Sequence, residues 1–97
     1  MARFDIHPLG TGYVLDVQAD LPDDLNTRVV VPLIPLGEAP KPAERLNPVF
    51  DVDGVPHAMV SQFLAAVPVS ELKEPVGSLA RHSFAIRAAV DMVFDGI

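Results

Sequence analysis

The sequence contains no cysteine, and its acidic residues outnumber its basic ones. Without cysteine, neither a disulfide bond nor a thiolate metal site can support the fold. The 13 Asp and Glu residues against 7 Lys and Arg residues give a formal net charge of −6. Because binding to a phosphate backbone requires clustered cations, this composition argues against direct nucleic-acid binding and favours a basic protein partner.

Long apolar runs are also missing from the sequence. No stretch approaches the roughly 18 residues that span a bilayer, and the first residues lack the apolar core of a signal peptide. We therefore expect a cytoplasmic protein with no membrane partner. The length of 97 residues corresponds to a single domain, residues 1–97, and a domain of this size would gain stability from dimerisation.

The first part of the chain predicts β-structure, because short alternating or β-branched apolar segments are separated by turn residues. The predicted strands are residues 4–7, 13–18, 27–34, 48–52, 55–60 and 67–69. Asp53-Gly54 is typical of a two-residue hairpin turn. Pro32 lacks an N–H donor, so we expect it at an edge or a bulge. Prolines make residues 35–48 a stiff irregular excursion, and residues 70–75 predict a helical turn.

The last part of the chain predicts a helix. Apolar residues recur there at helical spacing, at Ile86, Ala89, Val90, Val93, Phe94 and Ile97. We predict a helix over about residues 80–95, with Ser78 as its N-cap. Short strands followed by one helix indicate an α+β, mainly β domain built on a small antiparallel barrel or sheet.

Five segments resemble, in the same order, those of CcdB-type toxins. They read DVQAD, VPL, NPV, AVPVS and AVDMVFDGI, at residues 16–20, 31–33, 47–49, 66–70 and 89–97. The resemblance covers essentially the whole chain. It implies an SH3-like antiparallel barrel with a small wing sheet and a C-terminal helix, assembled as a homodimer. It further implies a non-enzymatic, cofactor-free toxin that binds and inhibits the A subunit of DNA gyrase, a type II topoisomerase.

The resemblance also implies a second partner, a cognate CcdA-like antitoxin that wraps the toxin with a disordered arm. The toxin–antitoxin complex would repress its own operon, so DNA would be reached only through that complex. Lys41, Glu44 and Arg45 in the proline-rich excursion are candidates for contacts with the arm. The alternative, that this excursion is simply a stiff surface loop, stays open.

The family's gyrase-facing surface can be carried over to this chain residue by residue. The corresponding residues are Ala19, Leu21, Pro22, Asp91, Phe94, Asp95, Gly96 and Ile97. Phe94, Gly96 and Ile97 match the family, whereas Asp95 stands where the best-known members have tryptophan. Aspartate cannot stack on an arginine of the target, although it can pair with one through a charge-assisted hydrogen bond.

This departure leaves an alternative function open. The chain would then be a divergent CcdB-like dimer that does not poison gyrase and acts through antitoxin binding, regulation or a different target. The residues themselves allow two interpretations of the helix end. Asp91 and Asp95 lie four residues apart at the negative end of the helix dipole. They form either a solvated face or an acidic patch for a cationic group of a partner, which a dimer would double.

The sequence motifs for metal binding and catalysis are weak. His7, His57 and His82 are widely separated and have no companion ligand, so we expect no metal site. Asp51 and Asp53 lack the rest of a calcium loop. The serines stand in no nucleophile-elbow context, which disfavours a small hydrolase. Another possible acid–base pair lies among Asp16, Asp20, Asp23 and Asp24, but we expect these residues to cap turns and keep a sheet edge soluble.

Overall fold

The computed structural model describes residues 2–20 and 25–96 of the protein. In these ranges the chain forms seven strands and one α-helix. The strands are β1 (Asp5–Leu9), β2 (Gly12–Asp16), β3 (Thr27–Pro35), β4 (Val49–Val52), β5 (Val55–Met59), β6 (Ala65–Pro68) and β7 (Gly77–Ser78), and the helix is α1 (Ser83–Asp95). Short 3₁₀ turns lie at Ser61–Phe63, Val69–Glu71 and Ala80–His82.

All strand pairs in the described part of the chain are antiparallel, and the strand order is β4-β5-β3-β2-β1-β7. The sheet curls into a nearly closed barrel that is followed by one helix, which confirms the predicted α+β, mainly β class. The sheet branches at β3, whose first half pairs with β6 and whose second half pairs with β5. The barrel and its branch therefore share one long strand.

Pro32 lies inside β3, a central strand, so the predicted position at an edge or a bulge was wrong. Its carbonyl accepts a hydrogen bond from Val60 N–H at 3.0 Å, so its N atom also faces the side occupied by β5 and β6. Pairing with β6 ends at Val30, and pairing with β5 begins at Leu33. The missing donor of Pro32 falls between the two partner strands, where the ladder requires none.

The β4–β5 hairpin confirms the Asp-Gly turn. Asp53 and Gly54 have φ angles of 54° and 79°, the left-handed values that a two-residue turn of this kind requires. Val52 and Val55 close the hairpin as directly paired residues. The register places Phe50 and Val52 in the core, while Asp51 points to solvent.

Strand β3 is buried on both sides, as its continuous apolar sequence predicted. Val31 and Leu33 belong to the main core, which is formed by residues of the barrel strands and of the first two turns of α1. Val30 belongs to a smaller second cluster with Val14 and Leu72. Alternate residues of one strand thus face two apolar clusters.

The predicted helix over residues 80–95 begins three residues later as an α-helix, because Ala80–His82 forms a 3₁₀ turn. Ser78 was wrong as the cap of α1. Its Oγ accepts a hydrogen bond at 3.1 Å from the N–H of Ala80, the first residue of the 3₁₀ turn, and the residue at the N-cap of α1 is His82. No helix in the residues covered by the structure is long and apolar enough to cross a membrane.

Candidate target-binding surface

The segment that follows β2 begins with a buried ion pair. Asp16 is the last residue of β2, and its side chain is 0% exposed. Arg28 on the neighbouring β3 donates Nε–H to Asp16 Oδ2 at 2.8 Å and Nη2–H to Oδ1 at 3.0 Å. Gln18 N–H donates to Oδ1 at 3.0 Å. This two-pronged geometry compensates for the cost of burying two charges.

The same guanidinium extends beyond Asp16 to the surface. Arg28 Nη2 also donates to the Gln18 carbonyl at 3.2 Å and to Asp20 Oδ1 at 3.3 Å. Burial lowers the pKa of Arg28, but the hydrogen bonds and negative charges of Asp16 and Asp20 outweigh that effect and raise the pKa above its ordinary value. The guanidinium is therefore a permanent cation that links a buried carboxylate to an exposed one.

Further bonds fix the post-β2 segment (residues 17–20) from both sides. On the β3 side, Val29 N–H donates to Gln18 Oε1 at 3.0 Å, and Val17 N–H donates to the Val29 carbonyl at 3.1 Å. On the N-terminal side, Arg3 Nε–H donates to the Val17 carbonyl at 3.2 Å, and Arg3 N–H donates to Asp20 Oδ1 at 3.0 Å. The segment is thus held in place although part of it faces solvent.

Ala19, the first of the predicted target-binding residues, lies at the exposed end of this segment. Leu21 and Pro22, like Asp23 and Asp24, lie outside the described residues. Asp16 and Asp20 are both engaged by Arg28, so neither is a free acid–base partner of the other. For Asp16 and Asp20, which the structure describes, the turn-capping interpretation accounts for one bond, from Gln18 N–H to Asp16.

Helix α1 presents the second part of the predicted surface. Ile86 and Ala89 are fully buried, and Val90 packs against the same core, but no later residue of the helix belongs to it. Phe94 is 71% exposed, so the predicted apolar face does not continue to the end of the helix. Ile97 lies outside the described residues. The last turn of α1 therefore offers an apolar ring to solvent rather than to the barrel.

Two carboxylates lie close to this exposed ring in the sequence. Asp91 and Asp95 are both exposed, and the last turn of α1 contains no basic residue. The helix dipole adds negative potential at the same end. Gly96 has a φ angle of 75°, and its N–H donates to the Met92 carbonyl at 2.9 Å. Gly96 thus has a structural reason to be glycine, since it ends the helix in a left-handed conformation.

The candidate antitoxin contacts lie elsewhere, on the connection between β3 and β4. Lys41, Glu44 and Arg45 are all exposed, and within the described ranges none of them forms an ion pair. The base of this connection is held by Asn47, which receives a hydrogen bond from Ala43 N–H at 3.0 Å and donates to the Met59 carbonyl at 3.1 Å. The three charged side chains therefore stand on an anchored loop.

No hydrogen bond or ion pair within residues 2–20 and 25–96 joins the post-β2 segment, the end of α1 and the β3–β4 connection. Sequence reasoning missed Arg3, Arg28 and Asn47, the residues that hold two of these surfaces in place. The available signal for this network was Asp16, a charged residue between the apolar Leu15 and Val17. A carboxylate inside a buried strand requires a partner.

The histidines are separated in the fold as well. Nδ1 of His7 lies 2.6 Å from the Lys73 carbonyl, Nδ1 of His57 lies 2.8 Å from the Val55 carbonyl, and His82 packs on Phe50. Across the described parts of the chain, no three His, Asp or Glu side chains form a group that could hold a metal ion.

The fold belongs to a class that includes toxin structures. One similar structure is described as an endoribonuclease in complex with its cognate antitoxin from a mycobacterial species. It has a TM-score of 0.78 and 11% sequence identity, over 97% of this chain and 94% of that chain. Another is the Mycobacterium tuberculosis toxin MazF-mt6, with a TM-score of 0.77 and 19% identity, over 94% of this chain and 96% of that chain. At these identities the likeness establishes a shared fold.

The sequence identifies the family. The family model described as CcdB protein matches residues 6–96, which is nearly the whole chain. The protein therefore belongs to the CcdB family of toxins of toxin–antitoxin systems. This confirms the resemblance drawn from the five sequence segments.

Proposed function

We propose that the protein binds the A subunit of DNA gyrase and inhibits the enzyme by stabilising one of its conformations, without bond chemistry of its own. The observation that carries this proposal is the exposed last turn of α1, where Phe94 and Gly96 match the gyrase-facing residues of the family. The proposed contact residues are Ala19, Leu21, Pro22, Asp91, Phe94, Asp95, Gly96 and Ile97.

Each described residue of this surface would contribute in its own way. Phe94 would enter an apolar pocket of the target, because a large exposed ring is a typical centre of a binding interface. Asp91 and Asp95 would pair with a cationic group that lies next to that pocket. A toxin that binds one conformation of gyrase more tightly than the others shifts the enzyme toward that conformation. Such a toxin needs no catalytic residue.

The antitoxin and the homodimer complete the proposed function. A similar structure is described as being in complex with its cognate antitoxin, which supports an antitoxin as a partner of this protein. Lys41, Glu44 and Arg45 would contact the antitoxin, and the complex would repress the operon. The small size of the chain, 97 residues, supports an assembly of two copies, because a domain of this size gains stability from dimerisation. A protein with these two partners would act in the cytoplasm.

A cleavage-complex assay with purified gyrase tests the proposed target. We expect the native protein to trap cleaved DNA and the Asp95→Trp variant to trap it at about fivefold lower protein concentration, because a ring over a guanidinium adds up to about 2 kcal/mol while the lost exposed ion pair contributes up to about 1 kcal/mol. Asp95→Asn is the matched control, since it removes the charge without adding a ring. We expect it to trap DNA less well than the native protein.

A different result in this assay would support a second candidate function. If only Asp95→Trp traps cleaved DNA, the protein is a divergent CcdB-like dimer that has lost or changed its target. Asp95 is the observation that favours this candidate, because an exposed carboxylate cannot replace the stacking of an aromatic ring. Such a dimer would bind its antitoxin but would not arrest growth when produced alone.

A further inference from the structure

We propose that Arg28 is a positioning residue for target binding, which acts through Asp20 to fix the exposed post-β2 segment that carries Ala19. The inference rests on the proposed function. It assigns a purpose to a side chain that is itself largely buried, since the side chain of Arg28 is only 10% exposed.

The geometry of the guanidinium carries the inference. Arg28 donates to oxygens of three residues at alternate positions of one segment, Asp16, Gln18 and Asp20. Its planar group holds these oxygens in fixed relative directions, which the flexible ammonium of a lysine would not do. The contact is also reinforced, because Arg3 N–H donates to the same Asp20 oxygen at 3.0 Å.

The two ends of this network serve different purposes. The contact with Asp16 is buried and stabilises the barrel, whereas the side chain of Asp20 is 60% exposed. An ion pair at such an exposed position contributes little to folding. What the Asp20 contact does provide is a fixed direction for the backbone at Ala19. A change at Asp20 should therefore weaken target binding while leaving the fold intact.

The test uses purified gyrase A subunit as the probe and isothermal titration calorimetry as the measurement. We expect Asp20→Ala to weaken binding about tenfold, a typical loss for a residue that supports an interface, with no shift of the urea unfolding midpoint. Asp20→Asn retains an oxygen that accepts from both Arg28 and Arg3, so we expect it to bind within about threefold of the native protein. Asp51→Ala, which removes an exposed carboxylate on β4, should bind like the native protein.

Two results would overturn the inference. If Asp20→Ala binds as tightly as the native protein, the contact positions nothing that the target requires. If Asp20→Asn loses as much affinity as Asp20→Ala, the charge of Asp20 acts on the target directly. Amide hydrogen exchange separates these results from a failure of the proposed function. If native protein does not bind gyrase, the target assignment fails. The positioning role is then judged by whether Asp20→Ala speeds exchange about tenfold at Gln18, whose N–H donates to Asp16 Oδ1, and unchanged exchange would overturn it.

Discussion

Replacing Arg28 by alanine is expected to lower the free energy of unfolding by about 3–5 kcal/mol, the usual cost of removing one partner of a buried ion pair. The loss is large because the completely buried carboxyl group of Asp16 would lose its two hydrogen bonds from the guanidinium. Small domains have a total stability of about 5–15 kcal/mol, so the variant would be close to unfolding. Urea unfolding followed by circular dichroism measures the effect.

Two further variants show whether this loss comes from the unpaired carboxylate. Arg45→Ala removes an exposed arginine without an ion pair among the described residues, and it should change the stability by less than about 0.5 kcal/mol. Replacing Asp16 by leucine and Arg28 by methionine together should restore most of the stability, because an apolar pair leaves no buried charge. An Arg28→Ala protein as stable as the native one would show that water, not Arg28, satisfies Asp16.

Replacing Phe94 by alanine is expected to have the largest effect on target binding. The ring is 71% exposed and does not belong to the core, so the free energy of unfolding should change by less than about 0.5 kcal/mol. The affinity for gyrase A subunit should fall by about 2 kcal/mol or more, which is roughly 30-fold, as for a central aromatic residue of an interface. Calorimetric titration of the same samples used for unfolding measures both quantities.

Phe84 offers a matched control on the same helix. Its ring is 83% exposed and lies in the first turn of α1, outside the proposed target surface. Phe84→Ala should therefore bind gyrase as the native protein does. Equal losses in the two variants would point to a general effect of exposed aromatic rings, and no loss in either would place the target surface elsewhere.

The strands could be predicted from the sequence wherever local pattern and tertiary environment agree. The alternation in β4 and the Asp53-Gly54 turn specify a hairpin by themselves. Strand β7 was missed because it is two residues long and is defined by its partner β1. The helix start was placed too early because 3₁₀ and α turns have similar apolar spacing. Helical periodicity placed Phe94 on the same apolar face as Ile86 and Ala89, but periodicity does not reveal where the core ends.

The candidate surface was predictable only in part. Family resemblance supplied Ala19 and the residues at the end of α1. The network of Arg28 was not predictable, because it depends on the register of β2 against β3 across a connection of ten residues in sequence (17–26). Within that register, Asp16 is opposite Val30, which places Arg28 two residues further along the same side of β3. Such a diagonal contact becomes visible only when the pairing is known.

The most direct test of the proposed function is to produce the native protein in bacterial cells without its antitoxin. Gyrase bound covalently to chromosomal DNA and the integrity of total RNA are then measured in the same culture. We expect trapped gyrase together with intact RNA. Cleaved RNA without trapped gyrase would contradict the proposal, and it would link the activity of this protein to that of the endoribonuclease whose fold it shares.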